Sequence, residues 1–129
     1  MTANMAPGLA WYWRVVLALS GAQAVLMGAA ASHALSAILD ERALGLLELA
    51  VQFQLIHLIA ALAVMQRFPH SARLWIIGGW LFAGGLYIKA FIGATPLGPI
   101  TPLGGITMVA GWLALMIPAK ATPPPVSNE

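Results

Sequence analysis

Few side chains in this sequence could do chemistry. Otherwise apolar stretches contain Gln23 and His33, then Glu48, Gln52, Gln54 and His57, then Tyr87 and Lys89. Two imidazoles could share a metal or a haem iron. Here they stand on separate stretches, a weak ligand set, and the chain has no cysteine to complete it. The same lack removes disulfides and thiol catalysis. A hydrolase would want a nucleophile beside a base. Ser20 and Ser32 instead recur with Ala24 and Gly28 at four-residue spacing, which is a packing pattern. The apolar stretches hold no paired carboxylates and no HExxH or CxxC motif. No catalytic, metal or cofactor-binding residue is therefore assigned and no cofactor is expected. Hydrogen bonding between helices is the reading these polar groups favour.

The medium follows from composition. Of 129 residues, 60% are hydrophobic and 8% charged, and mean hydropathy is +0.87. A soluble domain carries about 25% charged residues. This chain has too few to cover its surface in water, so its apolar excess must face lipid. The net charge of +2 comes from scattered Lys and Arg with no basic stripe, which argues against a nucleic-acid partner.

Four apolar segments, at 11–32, 43–65, 74–94 and 102–117, are read as helices. At about 1.5 Å per residue the first three cover a hydrocarbon core of about 30 Å. The fourth is shorter and must stand nearly upright or sit where the bilayer thins. Asp40 is placed to N-cap the second helix, with Glu41 in its first turn. Pro69 stops that helix. Thr101 and Pro102 read as N-cap and first position of the fourth, and Pro118 ends it. Residues 34–39 read as a short interfacial turn or helix. The expected architecture is an all-α membrane protein, one domain over 1–118, with four transmembrane helices in an up-down antiparallel bundle. Pro123, Pro124 and Pro125 would keep the tail at 119–129 extended. The first segment has a signal-peptide look, with Arg14, an apolar run and Ala29-Ala30-Ala31. Its length of about 20 apolar residues is that of a span, so it is read as retained.

Small side chains allow helices to approach closely in lipid. They lie at Ser20, Ala24, Gly28 and Ser32, at Gly78, Gly79, Gly84 and Gly85, and at Gly104, Gly105 and Gly111. These serve packing within one copy or a self-association face. Glu48 and Gln52 share one side of the second helix, and Gln54 and His57 roughly the other, which predicts a helix surrounded by neighbours. Glu48 and Lys89 fall at similar depth and could pair, or Lys89 could snorkel to the interface. Gln23, Gln54 and His57 are expected to bond between the first two helices. His33, at the far end of the first, is expected to meet Glu48, Tyr87 or the turn at Thr101.

Four motifs resemble the YgdD-like family of small bacterial inner-membrane proteins, known as a domain of unknown function. Its Gly-Ala-Phe-Gly-Ala-His reads here Gly28-Ala29-Ala30-Ala31-Ser32-His33, with Ala30, Ala31 and Ser32 as departures. Its Tyr-Gln-x-x-His is matched by Phe53-Gln54-Leu55-Ile56-His57. Its Leu-Phe-Ser-Gly-Ser-Leu-Tyr is matched by Leu81-Phe82-Ala83-Gly84-Gly85-Leu86-Tyr87. Its Ile-Thr-Pro-Leu-Gly-Gly stands unchanged as Ile100-Thr101-Pro102-Leu103-Gly104-Gly105, with Gly111-Trp112 following. The resemblance implies a bacterial inner-membrane location and brings no activity with it. With no soluble domain and no catalytic set, the expected role is that of a non-enzymatic accessory or assembly component of a membrane complex. Its partners would be the lipid bilayer and other subunits or further copies. The alternative is an oligomeric small-solute transporter or channel.

Positive charge sets orientation. Arg14, Arg67, Arg73 and Lys120 fall on one side, and Arg42 and Lys89 on the other, which places both termini in the cytoplasm. A cytoplasm-dependent fluorescent reporter fused to the C-terminus is expected to light up, and the same reporter inserted at 34–39 to stay dark. The opposite pattern would reverse the orientation.

Overall fold

The computed structural model describes residues 9–119. They form helix α1 (Trp11–Ser32), a 3-10 turn (Leu35–Ala37), then α2 (Glu41–Val64), α3 (Pro69–Phe91) and α4 (Ile100–Ala114). No strand occurs among the described residues. Helices α1 to α3 have 22, 24 and 23 residues, or about 33–36 Å at 1.5 Å per residue, and are apolar enough to cross a membrane. Helix α4 has 15 residues and covers only about 22 Å. A further turn follows it, where Met116 N donates to Leu113 O at 3.0 Å. The fold is a helical membrane bundle. The expected tail and Lys120 lie outside the described residues.

Helix ends differ from the sequence reading at both ends of α3 and α4: α3 closes at Phe91 and α4 at Ala114, and their starts differ too. Pro69 does more than stop α2: it is the first residue of α3, which starts there rather than at 74. Proline suits that position because the first N–H of a helix has no intrahelical partner. Helix α4 starts at Ile100 behind Pro99, and Thr101 does not cap it. The Thr101 side chain is turned against Gly85 of α3 instead. Asp40 does cap α2, accepting from Ala43 N at 2.7 Å.

Helix α3 is the central element, packed along α2 on one side and α4 on the other, while α1 lies on α2. One end of the bundle is filled by Leu58, Ala61, Trp75, Ile76 and Met108, with Leu9 and Trp13 closing over them. The other end packs Ala31, Leu47 and Ala90. Arg14, Arg67 and Arg73 belong to the first end, where the Arg73 guanidinium lies 6.0 Å from the Trp13 ring centre. Arg42 and Lys89 belong to the second. Around the outside, Leu19, Leu26, Ile59, Ile106 and Met116 are all exposed, an apolar skin suited to acyl chains.

The contact between α3 and α4 depends on two glycines. A Cβ on Gly104 would run into the Phe82 backbone nitrogen and lie 2.7 Å from Gly78 O. A Cβ on Gly78 would lie 2.9 Å from Gly104 O. Backbone thus packs on backbone, which only hydrogen side chains permit. Gly28 of α1 faces Val51 of α2. Several small residues are therefore used within one copy. Gly84 and Gly105 are not among them, since a Cβ on either meets nothing closer than 4.0 Å.

Because the obstacle at Gly104 is main chain, it cannot rotate away. Gly104→Ala should destabilise the bundle by about 1–3 kcal/mol through overpacking. Gly21→Ala, with nothing within 4 Å of the new carbon, should stay within about 0.5 kcal/mol of the parent or gain slightly. Unfolding in mixed micelles checks this, and equal behaviour of the two variants would contradict it.

Candidate functional site

Three helices send polar side chains to one buried point. Gln54 of α2 donates from Nε2 to Gln23 Oε1 of α1 at 2.9 Å. The Tyr87 hydroxyl of α3 donates to Gln54 Oε1 at 2.8 Å. Gln23 Nε2 donates to the Tyr87 hydroxyl at 3.4 Å. Each member donates once and accepts once, so the bonds close into a ring. Gln54, at 1% exposure, is its buried centre. One turn of α1 nearer the first end, buried Ser20 donates to Val16 O at 2.6 Å and accepts from Trp80 Nε1 of α3 at 2.7 Å.

The position of Tyr87 explains how α3 joins a group that the sequence placed between α1 and α2. Its Cα lies in the last turns of α3. Side chains on a helix lean toward its N-terminus. In α3 that direction runs back into the bundle, and the phenol ring carries the hydroxyl down to Gln54. Tyr87 is thus not a partner for His33. The His33 side chain is exposed and makes no side-chain hydrogen bond among the described residues. It stands nine positions on from buried Ala24, about half a turn round from the packed face at 100° per residue.

His57 does not join the ring, contrary to expectation. It sits near the first end of the bundle in an aromatic setting, with ring centres of Trp112 at 6.1 Å and Trp75 at 6.4 Å. Nδ1 lies 2.8 Å from Phe53 O, and a carbonyl can only accept, so Nδ1 carries the proton. Nε2 then accepts from Trp112 Nε1 of α4 at 3.1 Å. Both ring nitrogens are occupied. Gly111 leaves the space that Trp75 fills, and Trp75 Nε1 donates to Met108 O at 3.2 Å. His33 and His57 do not converge on one point, and no group of three or more His, Asp or Glu able to hold a metal occurs among the described residues. The tryptophans Trp75, Trp80 and Trp112 were missed as partners. A buried indole N–H needs an acceptor, and that rule applied to the sequence would have flagged them.

The remaining candidates are placed as follows. Glu48 and Lys89 make no ion pair. Lys89 lies beside Leu46, two residues before Glu48 and so about 200° round α2. The expected match in depth also fails: Glu48 stands seven residues inside α2 and Lys89 two residues from the end of α3, a difference of about 7 Å, and the two side chains point to different sides. Glu48 and Gln52 are exposed, and with Glu41 and Gly45 they form one open arc of α2. Helix α2 is therefore not surrounded, since its neighbours cover only the side bearing Ala50, Gln54 and His57. Thr101 Oγ1 is buried against Gly85 without a hydrogen-bond partner, and Pro102 is exposed.

A family model described as a protein of unknown function (DUF423) matches residues 27–105, more than half of the chain. A UPF0382 membrane protein of Haemophilus influenzae is 41% identical over 107 residues, covering 78% of this chain and 86% of the relative. A UPF0382 membrane protein of Staphylococcus saprophyticus is 34% identical, covering 78% and 89%. The UPF0382 inner membrane protein YgdD of Escherichia coli K12 is 26% identical, covering 81% and 86%. No solved structure matches.

The ring yields a stability prediction. Gln54→Leu and Tyr87→Phe should each destabilise the bundle, and the double variant should lose less than the two combined. The coupling expected is about 0.6 kcal/mol, with about 1.7 as a ceiling for such bonds in lipid. Strictly additive losses in a double-mutant cycle would show that the pair is not coupled.

Proposed function

The chain belongs to the DUF423 family of membrane proteins, and on that premise we propose that it is a non-enzymatic accessory or assembly component of a complex in the bacterial inner membrane, with both termini cytoplasmic. One observation carries this reading: the exposed arc of α2 that bears Glu48 and Gln52. Glu48 stands seven residues on from Glu41, about 10 Å along the helix. A charge at membrane depth is disfavoured by up to about 3.5 kcal/mol on insertion scales, least near the ends. Gln23, Gln54 and Tyr87 have satisfied one another, yet this carboxylate and amide have no partner among the described residues. A helix of another subunit that brings a cation or a hydrogen-bond donor would complete them. Gly45 on the same arc would allow that helix to approach closely.

The second reading, an oligomeric small-solute channel, uses the same arc as the polar wall of a seam between copies. Because the chain lacks cysteine, a benzophenone can be attached at one engineered thiol. Gln52→Cys, labelled and irradiated in native membranes, should give a discrete larger adduct. Ala22→Cys on the exposed side of α1 should give little, and adding Glu48→Leu should reduce the Gln52→Cys adduct several-fold. An adduct of two copies would favour the channel, and a different second chain the accessory role. Equal labelling at both positions would remove the arc as a docking surface.

A further inference from the structure

Where α2 begins and α3 ends, the two helices leave a recess of about 460 Å³. Its walls include Arg42 and Lys89, and apolar residues such as Leu46 and Phe91 line it too. It stays open because the chain turns away after α3. Gly93 takes φ 90° there, and its N–H donates to Lys89 O at 3.1 Å.

The charges in this recess do not balance. Among the described residues, neither Arg42 nor Lys89 has a carboxylate within 4.0 Å or a side-chain hydrogen bond. The acidic residue on the same wall is Asp40, and it is engaged in capping, with Ala43 N held at 2.7 Å. Two cations and one carboxylate therefore border one concavity, which leaves it net positive, and the carboxylate contacts neither cation. Depth bears on what could balance it. Helix α2 has 24 residues, about 36 Å, against a hydrocarbon core of about 30 Å. Its first residues thus project to the level where lipid phosphates lie. Apolar lining beside paired cations suits a group that is charged at one end and hydrocarbon at the other.

We infer that this recess binds a phosphate group, held by Arg42 and Lys89, and that its source is the headgroup of a membrane phospholipid. Arginine offers a planar fork to two phosphate oxygens, and lysine adds a point charge. The site is separate from the Gln23–Gln54–Tyr87 ring and from the open arc of α2, and it does not depend on the accessory role.

The test titrates the full chain, in mild detergent, with dioleoylphosphatidylglycerol and counts bound lipid by native mass spectrometry. Arg42→Gln combined with Lys89→Gln should weaken binding about tenfold or more, the size of a lost charge-assisted contact. Each single variant should lose part of this, and Lys89→Arg should keep most of it. Arg67→Gln, at the opposite end, should bind as the parent does. Retention of the lipid in millimolar inorganic phosphate would identify the headgroup as the source. Displacement would keep the phosphate site but overturn the lipid source. A parent protein that binds no phosphatidylglycerol, or charge-neutralised variants that bind it equally well, would overturn the inference.

Discussion

A polar group inside a bilayer has no water to turn to, so it must find its partner in protein. That constraint organises the interior of this bundle. Gln23, Gln54 and Tyr87 satisfy one another in a closed ring that takes one member from each of three helices. A ring of this kind fixes the rotation of all three helices together, because turning any one breaks two bonds. Ser20 with Trp80 adds a second link between α1 and α3, and His57 with Trp112 joins α2 to α4. Each bond is modest in net energy. Their effect is selective, since an alternative packing would leave an amide or an indole N–H unpaired.

Close packing supplies the second requirement. With no hydrophobic drive between helices in lipid, association rests on van der Waals contact over a long seam. The backbones of α3 and α4 meet at Gly78 and Gly104. Gly111 leaves the pocket for Trp75, whose neighbours include His57. Glycine packing and the polar contacts are thus coupled: the approach that glycine allows brings Trp112 of α4 within reach of His57 of α2 across the edge of α3.

Against this largely paired interior, two groups of charged and polar side chains stand out on the outside, on one arc of α2 and in one recess at the bundle end.

Composition alone determined the medium, because so few charges cannot cover a water-exposed surface. The apolar run located α1 and Asp40 located the start of α2, since those are local effects. The Pro69 start of α3 was misplaced because proline can both end one helix and open the next. The pairing of Gln23 with Gln54 followed from depth, a quantity that counting residues supplies. What only the tertiary structure decided was direction around each helix axis. Glu48 and Lys89 parted in azimuth as well as in depth, His33 faced outward, and Tyr87 leaned inward to complete the ring. Depth is set by the local rise of about 1.5 Å per residue, whereas azimuth is set by which neighbours a helix finds, and that is a property of the assembled bundle.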